Sequence, residues 1–152
     1  MIKSHLYYQS FIIKGLVFMA SEELSQEQLS EWVREQYQRA NKHLAEQGVL
    51  FDSVVTEESR YLAPYVAVWK IKSTEGKYYW VISGDLPADA IPYASEKNAK
   101  DTLRAFSMRW QLQAEQILQN NTNDPLRKDF AALLITKAEM IYDLFANPKN
   151  WQ

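Results

Sequence analysis

Between residues 65 and 72 the apolar pattern follows a period of two, while the stripes at residues 29–44 and 99–117 recur at helical spacing. A chain whose hydrophobic period changes in this way must build sheet and helix in separate blocks. In Tyr65-Val66-Ala67-Val68-Trp69-Lys70-Ile71-Lys72, residues Tyr65, Ala67, Trp69 and Ile71 share one face. Lys70 and Lys72 emerge on the other, which predicts that this second face reaches water at its far end. Ser73-Thr74-Glu75-Gly76 reads as a turn and residues 77–83 as the returning strand of a hairpin. Two strands alone are marginally stable, so residues 50–56 are expected to add a third to one antiparallel sheet.

Upstream, Ser25 and Gln28 have capping-box spacing, and Leu29, Trp32, Val33, Tyr37, Ala40 and Leu44 form a helical stripe that Gly48 can end. Downstream, residues 84–92 carry two prolines and read as turns. Ser95 is the expected cap of a long helix with Ala99, Leu103, Phe106, Trp110, Ala114 and Ile117 as its buried seam, stopping near Asn120-Asn121. Asp124-Pro125 starts the last helix, whose stripe is Leu126, Phe130, Leu133, Leu134, Ala138, Ile141 and Phe145, and Asn147-Pro148 ends it. The expectation is an α+β fold: an N-terminal helix, a three-stranded antiparallel sheet and a C-terminal pair of antiparallel helices, forming one domain over residues 19–152.

Residues 1–18 stand apart, with Lys3 and Lys14 and no acid before Glu22. They read as an export signal, as a β-rich arm, or as upstream translated sequence. Lys14 interrupts the apolar run and Phe18 occupies a place where cleavage needs a small residue, which argues against export. Met19 opens directly onto the helix signal and is the favoured start, leaving 1–18 outside the fold.

Composition excludes several classes of function. The 152 residues hold 17 basic and 19 acidic side chains and no cysteine. Disulfide frameworks, thiolate metal sites and cysteine nucleophiles are therefore absent, and a net charge of −2 lacks the electrostatic footprint of a nucleic-acid binder. No apolar run approaches the ~18 residues of a membrane span. His5 and His43 are the only histidines, and no phosphate loop, paired-histidine zinc spacing or nucleophile elbow occurs. No metal or cofactor is expected.

The informative segment is Trp80-Val81-Ile82-Ser83-Gly84-Asp85-Leu86-Pro87-Ala88-Asp89. A strand running into Gly-Asp places Asp85 at the end of the sheet, and Asp89 can bring a second carboxylate to the same loop for acid–base work or a hard cation. Turn aspartates more commonly bond their own backbone. Arg60 precedes Tyr61 in the connection entering the middle strand, which shares an end of the sheet with Asp85. There it can pair with Asp85 or clamp an anionic ligand. Trp69 and Trp80 pack in the core by default, or else line an aromatic groove together with neighbouring tyrosines.

Residues 59–70 (SRYLAPYVAVWK), 80–89 (WVISGDLPAD) and 103–114 (LRAFSMRWQLQA), with Trp32 and the helix end at residues 44–48, resemble a small bacterial family known only as a domain of unknown function. The resemblance covers residues 24–120. It implies a single-domain bacterial cytoplasmic protein and carries over no activity, cofactor or catalytic residue.

Two readings of function follow. The first is a non-enzymatic protein-interaction or accessory (immunity-like) domain, suggested by the acidic balance, the aromatics and the missing catalytic motifs. It would bind a protein partner through the sheet end and its acidic loop. The second is a small-molecule or metal-dependent enzyme or binder using Asp85 and Asp89 with Arg60. Homodimerisation through the helical hairpin is a third. No nucleic-acid or membrane partner is expected.

Overall fold

A computed structural model describes residues 24–93, 98–120 and 123–152 of the chain. The readings made for residues 1–18, Ser95 and Asn121 lie outside the described residues. Helix α1 (Gln26–Glu46) begins as its sequence requires: Ser25 Oγ accepts from Gln28 N at 3.1 Å, and Gln28 Oε1 accepts from Ser25 N at 2.8 Å. Gly48 follows the helix with φ +81°. Five strands follow: β1 (Phe51–Val54), β2 (Arg60–Leu62), β3 (Val66–Ser73), β4 (Tyr78–Gly84) and β5 (Asp89–Pro92). Helices α2 (Ala99–Gln119) and α3 (Pro125–Ala146) and a 3₁₀ turn (Pro148–Trp151) complete the described chain. Asn98 caps α2, its side chain accepting from Asp101 N at 2.8 Å.

The sheet has five strands rather than the expected three. All pairings are antiparallel, in the order β1-β3-β4-β5, with β2 sharing the β1 edge of β3. The two missed strands are three and four residues long, too short to show a period of their own. Pro92 sits at the end of β5, an edge strand, where a missing N–H costs no ladder bond on the open side.

The sheet separates two apolar clusters. Ala67, Trp69, Ile71 and Val81 pack toward Ala40 and Leu44 of α1. Val66, Val68, Trp80 and Ile82 face Leu103, Phe106 and Trp110 of α2. Trp80, Phe106 and Trp110 are essentially sealed from water, and full burial of a large apolar side chain contributes about 1.5–3 kcal/mol. All six residues of the expected α2 seam are buried. In α3 the expected stripe is only half covered: Leu134, Ala138 and Ile141 are buried, but Leu126, Phe130 and Leu133 remain 76%, 39% and 41% exposed. Helices α2 and α3 lie antiparallel against each other, tied by Ser107 Oγ donating to Ala138 O at 2.8 Å.

Lys70 corrects a second expectation, since it does not reach water. The even-numbered face of β3 lies under the helical layer, and Lys70 is 7% exposed. Its Nζ donates to Glu58 Oε2 at 3.0 Å and sits 3.9 Å from the Tyr93 ring centroid and 5.0 Å from that of Tyr78. Burial works against the ammonium, but hydrogen bonds and charge attraction with Glu58 and Tyr93 outweigh it and hold its pKa above 10.5.

Candidate functional site

Arg60, Asp85 and Asp89 do not converge. Along one row of the sheet, Arg60 pairs with Val68, Val68 with Ile82, and Ile82 with Asp89. Three strand spacings of ~4.8 Å place Arg60 and Asp89 about 14 Å apart, on opposite edges. Strand β2 folds back along β3, which carries Arg60 away from the end of the sheet where Asp85 lies.

Each carboxylate has its own partners. Asp89 belongs to β5, not to a loop shared with Asp85. Its Oδ1 accepts from Ala90 N at 2.8 Å, and its Oδ2 accepts from both Arg109 Nε and Trp110 Nε1 at 2.9 Å. Asp89 therefore fastens the middle of α2 to the edge of the sheet. Asp85 points outward, its side chain 73% exposed, with Lys137 Nζ of α3 at 3.4 Å. The backbone on either side of Asp85 is anchored from the other layer: the Arg39 guanidinium of α1 donates to Gly84 O and to Leu86 O. Gly84 itself, at φ +138°, lies so close to β3 that a Cβ would meet Val66 Cα at 2.8 Å and collide with Tyr65 O. The glycine of the Gly-Asp signature is therefore explained by close packing of backbone.

Trp69 and Trp80 point to opposite faces of the sheet, and both are buried in the core. Trp69 Nε1 donates to Ser83 Oγ at 3.0 Å, and Ser83 Oγ donates to Gln36 O at 2.9 Å, linking β3, β4 and α1. Trp80 is fully buried beside Tyr93, with centroids 5.8 Å apart.

Arg60 and Tyr61 do line a concave site, on the opposite edge from Asp89. A cleft of about 370 Å³ opens between the β1–β2 connection, β2, the start of α2 and the C-terminal turn. Arg60 Nη1 donates to Glu57 O at 3.0 Å and Ser59 O at 2.9 Å, which fixes the plane of the guanidinium. Lys100 stands across the cleft in the first turn of α2. Trp151 and Asn150 form the third wall, held by bonds of 3.1 and 3.0 Å from Trp151 Nε1 and Asn150 Nδ2 to Leu144 O. Sequence reasoning missed Lys100 and Trp151 as parts of this site, because only the fold brings positions 60, 100 and 151 together. Among the described residues no cluster of three or more His, Cys, Asp or Glu side chains is placed to hold a metal ion. Nor is any described helix long and apolar enough to cross a membrane.

These features define a layered α+β protein, one helix on one face of an antiparallel sheet and a helical hairpin on the other. The chain belongs to the family described as Domain of unknown function (DUF4826), whose sequence profile matches residues 26–151. Comparison with curated proteins and with solved structures finds no match.

Proposed function

We propose that this chain is a protein-interaction domain without catalytic chemistry of its own, and that it pairs with a second copy of itself through the α2/α3 hairpin. The observation that carries this reading is the uncovered start of the α3 stripe. Leu126, Phe130 and Leu133 follow one another at spacings of four and three, the row by which a helix packs on another element. Further along α3 the chain covers Leu134, Ala138 and Ile141 of the same stripe; here it leaves the stripe bare. Of the ten large apolar side chains exposed among the described residues, seven lie on this hairpin.

The rim favours an identical partner. Leu126 and Phe130 share a groove with Ile117, and the polar groups around it are Gln113, Gln116, Asn120 and Arg127. Amide side chains both donate and accept, so they can satisfy copies of themselves across a twofold axis. One exposed arginine per copy is screened at physiological salt. Two helical hairpins packed on each other form a four-helix arrangement. At ~200 Å² for a full large side chain, the three exposed residues offer about 300 Å² of apolar surface. With the usual apolar share of an interface, ~56–58%, that corresponds to about 500–600 Å² per copy, at the weak end of the range for specific pairs. This reading moves the docking surface away from the Asp85–Asp89 segment, whose carboxylates are engaged by Lys137, Arg109 and Trp110.

Sedimentation equilibrium of the full chain from 1 to 500 μM tests it. A concentration-dependent dimer is expected, weakened at least tenfold by Phe130→Glu or Leu126→Glu, with unchanged far-UV circular dichroism because both side chains are exposed. A wild-type chain that stays monomeric across that range overturns the reading.

A further inference from the structure

The geometry points to the cleft beside Arg60 as a binding site for a small aromatic carboxylate. Its volume, about 370 Å³, falls at the lower end of the ~300–1,000 Å³ found for small-molecule sites. Charge selects the ligand's sign. Arg60 and Lys100 both line the cleft, and neither has a carboxylate ion-pair partner among the described residues. Of the two acidic residues in the lining, Glu58 is taken by the ammonium of Lys70 at 3.0 Å, and Glu57 stands exposed. With Glu58 neutralised, the lining holds two cations, Arg60 and Lys100 (the latter also 5.6 Å from the Phe145 ring centroid), against the single carboxylate of Glu57. That balance favours an anion over a cation.

Shape selects the rest of the ligand. Arg60 spends Nη1 on the carbonyls of Glu57 and Ser59, so its planar group is held in one orientation before any ligand arrives. That preorganisation suits the flat, two-oxygen geometry of a carboxylate. Tyr61 and Trp151 are the aromatic residues of the same lining. Tyr61 is backed by Trp32, with centroids 6.2 Å apart, and Trp151 is fixed through its indole N–H. Rings already ordered in the free protein cost little entropy to stack upon. This site is separate from the groove of Ile117, Leu126 and Phe130, and it stands or falls independently of self-association.

The probe is sodium benzoate, with benzylamine as a cation of the same size and shape. Each is titrated into the ¹⁵N-labelled full chain at constant ionic strength and followed by amide shifts. Benzoate is expected to give saturable shifts confined to residues 58–62, 98–101 and 150–152, with a dissociation constant in the millimolar range, and benzylamine none. Lys100→Gln, at an exposed side chain, should weaken benzoate severalfold, and Arg60→Gln at least tenfold. If Arg60→Gln impairs folding, Lys100→Gln and the benzylamine comparison still decide. Unsaturable or scattered benzoate shifts, equal response to benzylamine, or benzoate binding unaffected by Lys100→Gln would each overturn the assignment.

Discussion

Asp89 and Trp110 are joined by a 2.9 Å hydrogen bond from the indole N–H to Oδ2, which Arg109 Nε also reaches at 2.9 Å. A carboxylate that from sequence alone invites a ligand is thus the fastening between β5 and α2. Asp89→Ala should cost about 2–4 kcal/mol, because it strands a buried indole N–H and removes charge-assisted bonds. Asp89→Asn keeps one acceptor and should cost less. Asp85→Asn, at a side chain 73% exposed, should stay within about 0.5 kcal/mol of wild type. Urea unfolding of the three variants checks the ranking; equal effects at the two positions would contradict it.

Gly84 and Gly76 both have positive φ, +138° and +82°, but only Gly84 is crowded by backbone. Gly76→Ala meets open space and pays only for an unfavoured conformation, about 1 kcal/mol. Gly84→Ala must push β3 away from the turn as well, and is expected to cost at least twice as much. Comparison of thermal midpoints is the measurement.

The buried ammonium of Lys70 gives the protein a dependence on alkaline pH. Its pKa is raised in the folded state, so the stability it contributes is complete below 10.5 and is lost as pH rises through the folded value. The groups facing it are Glu58, Tyr78 and Tyr93, all retained in Lys70→Met. The stability difference between wild type and that variant should be level from pH 7 to 10 and shift against wild type above it. Urea denaturation across pH 7–11.5 reads this directly, and a difference that moves in favour of wild type with rising pH would falsify it.

Much of the local architecture was legible in the residues themselves. The capping box at Ser25 and Gln28, the Asp124-Pro125 start of α3, the turn at Gly76 and the α2 seam are short-range signals, each needing only neighbours within one or two helical turns. The same logic passed over β2, only three residues long, and led to two further errors. Strand β5 looked like a proline-rich turn because its four residues, ending in Pro92, are too few to show an alternation of their own. Lys70 looked solvent-facing because alternation shows which face a residue is on, not what covers that face. The candidate site divided in the same way. Arg60 and Tyr61 were identified as residues of interest, but the partners that make a cleft of them, Lys100 and Trp151, lie some 40 and 90 positions further along the chain.

The sequence by itself determined where helices and the central hairpin begin and end, since capping, turn chemistry and hydrophobic period act between residues close in the chain. Tertiary structure alone decided that Asp89 would hold a helix, that Arg60 would face a cleft with Lys100, and that half of the α3 stripe would stay bare. Those outcomes depend on how far each strand and helix extends past its neighbours, and overlap between distant segments is set by packing of the whole, which no local pattern encodes.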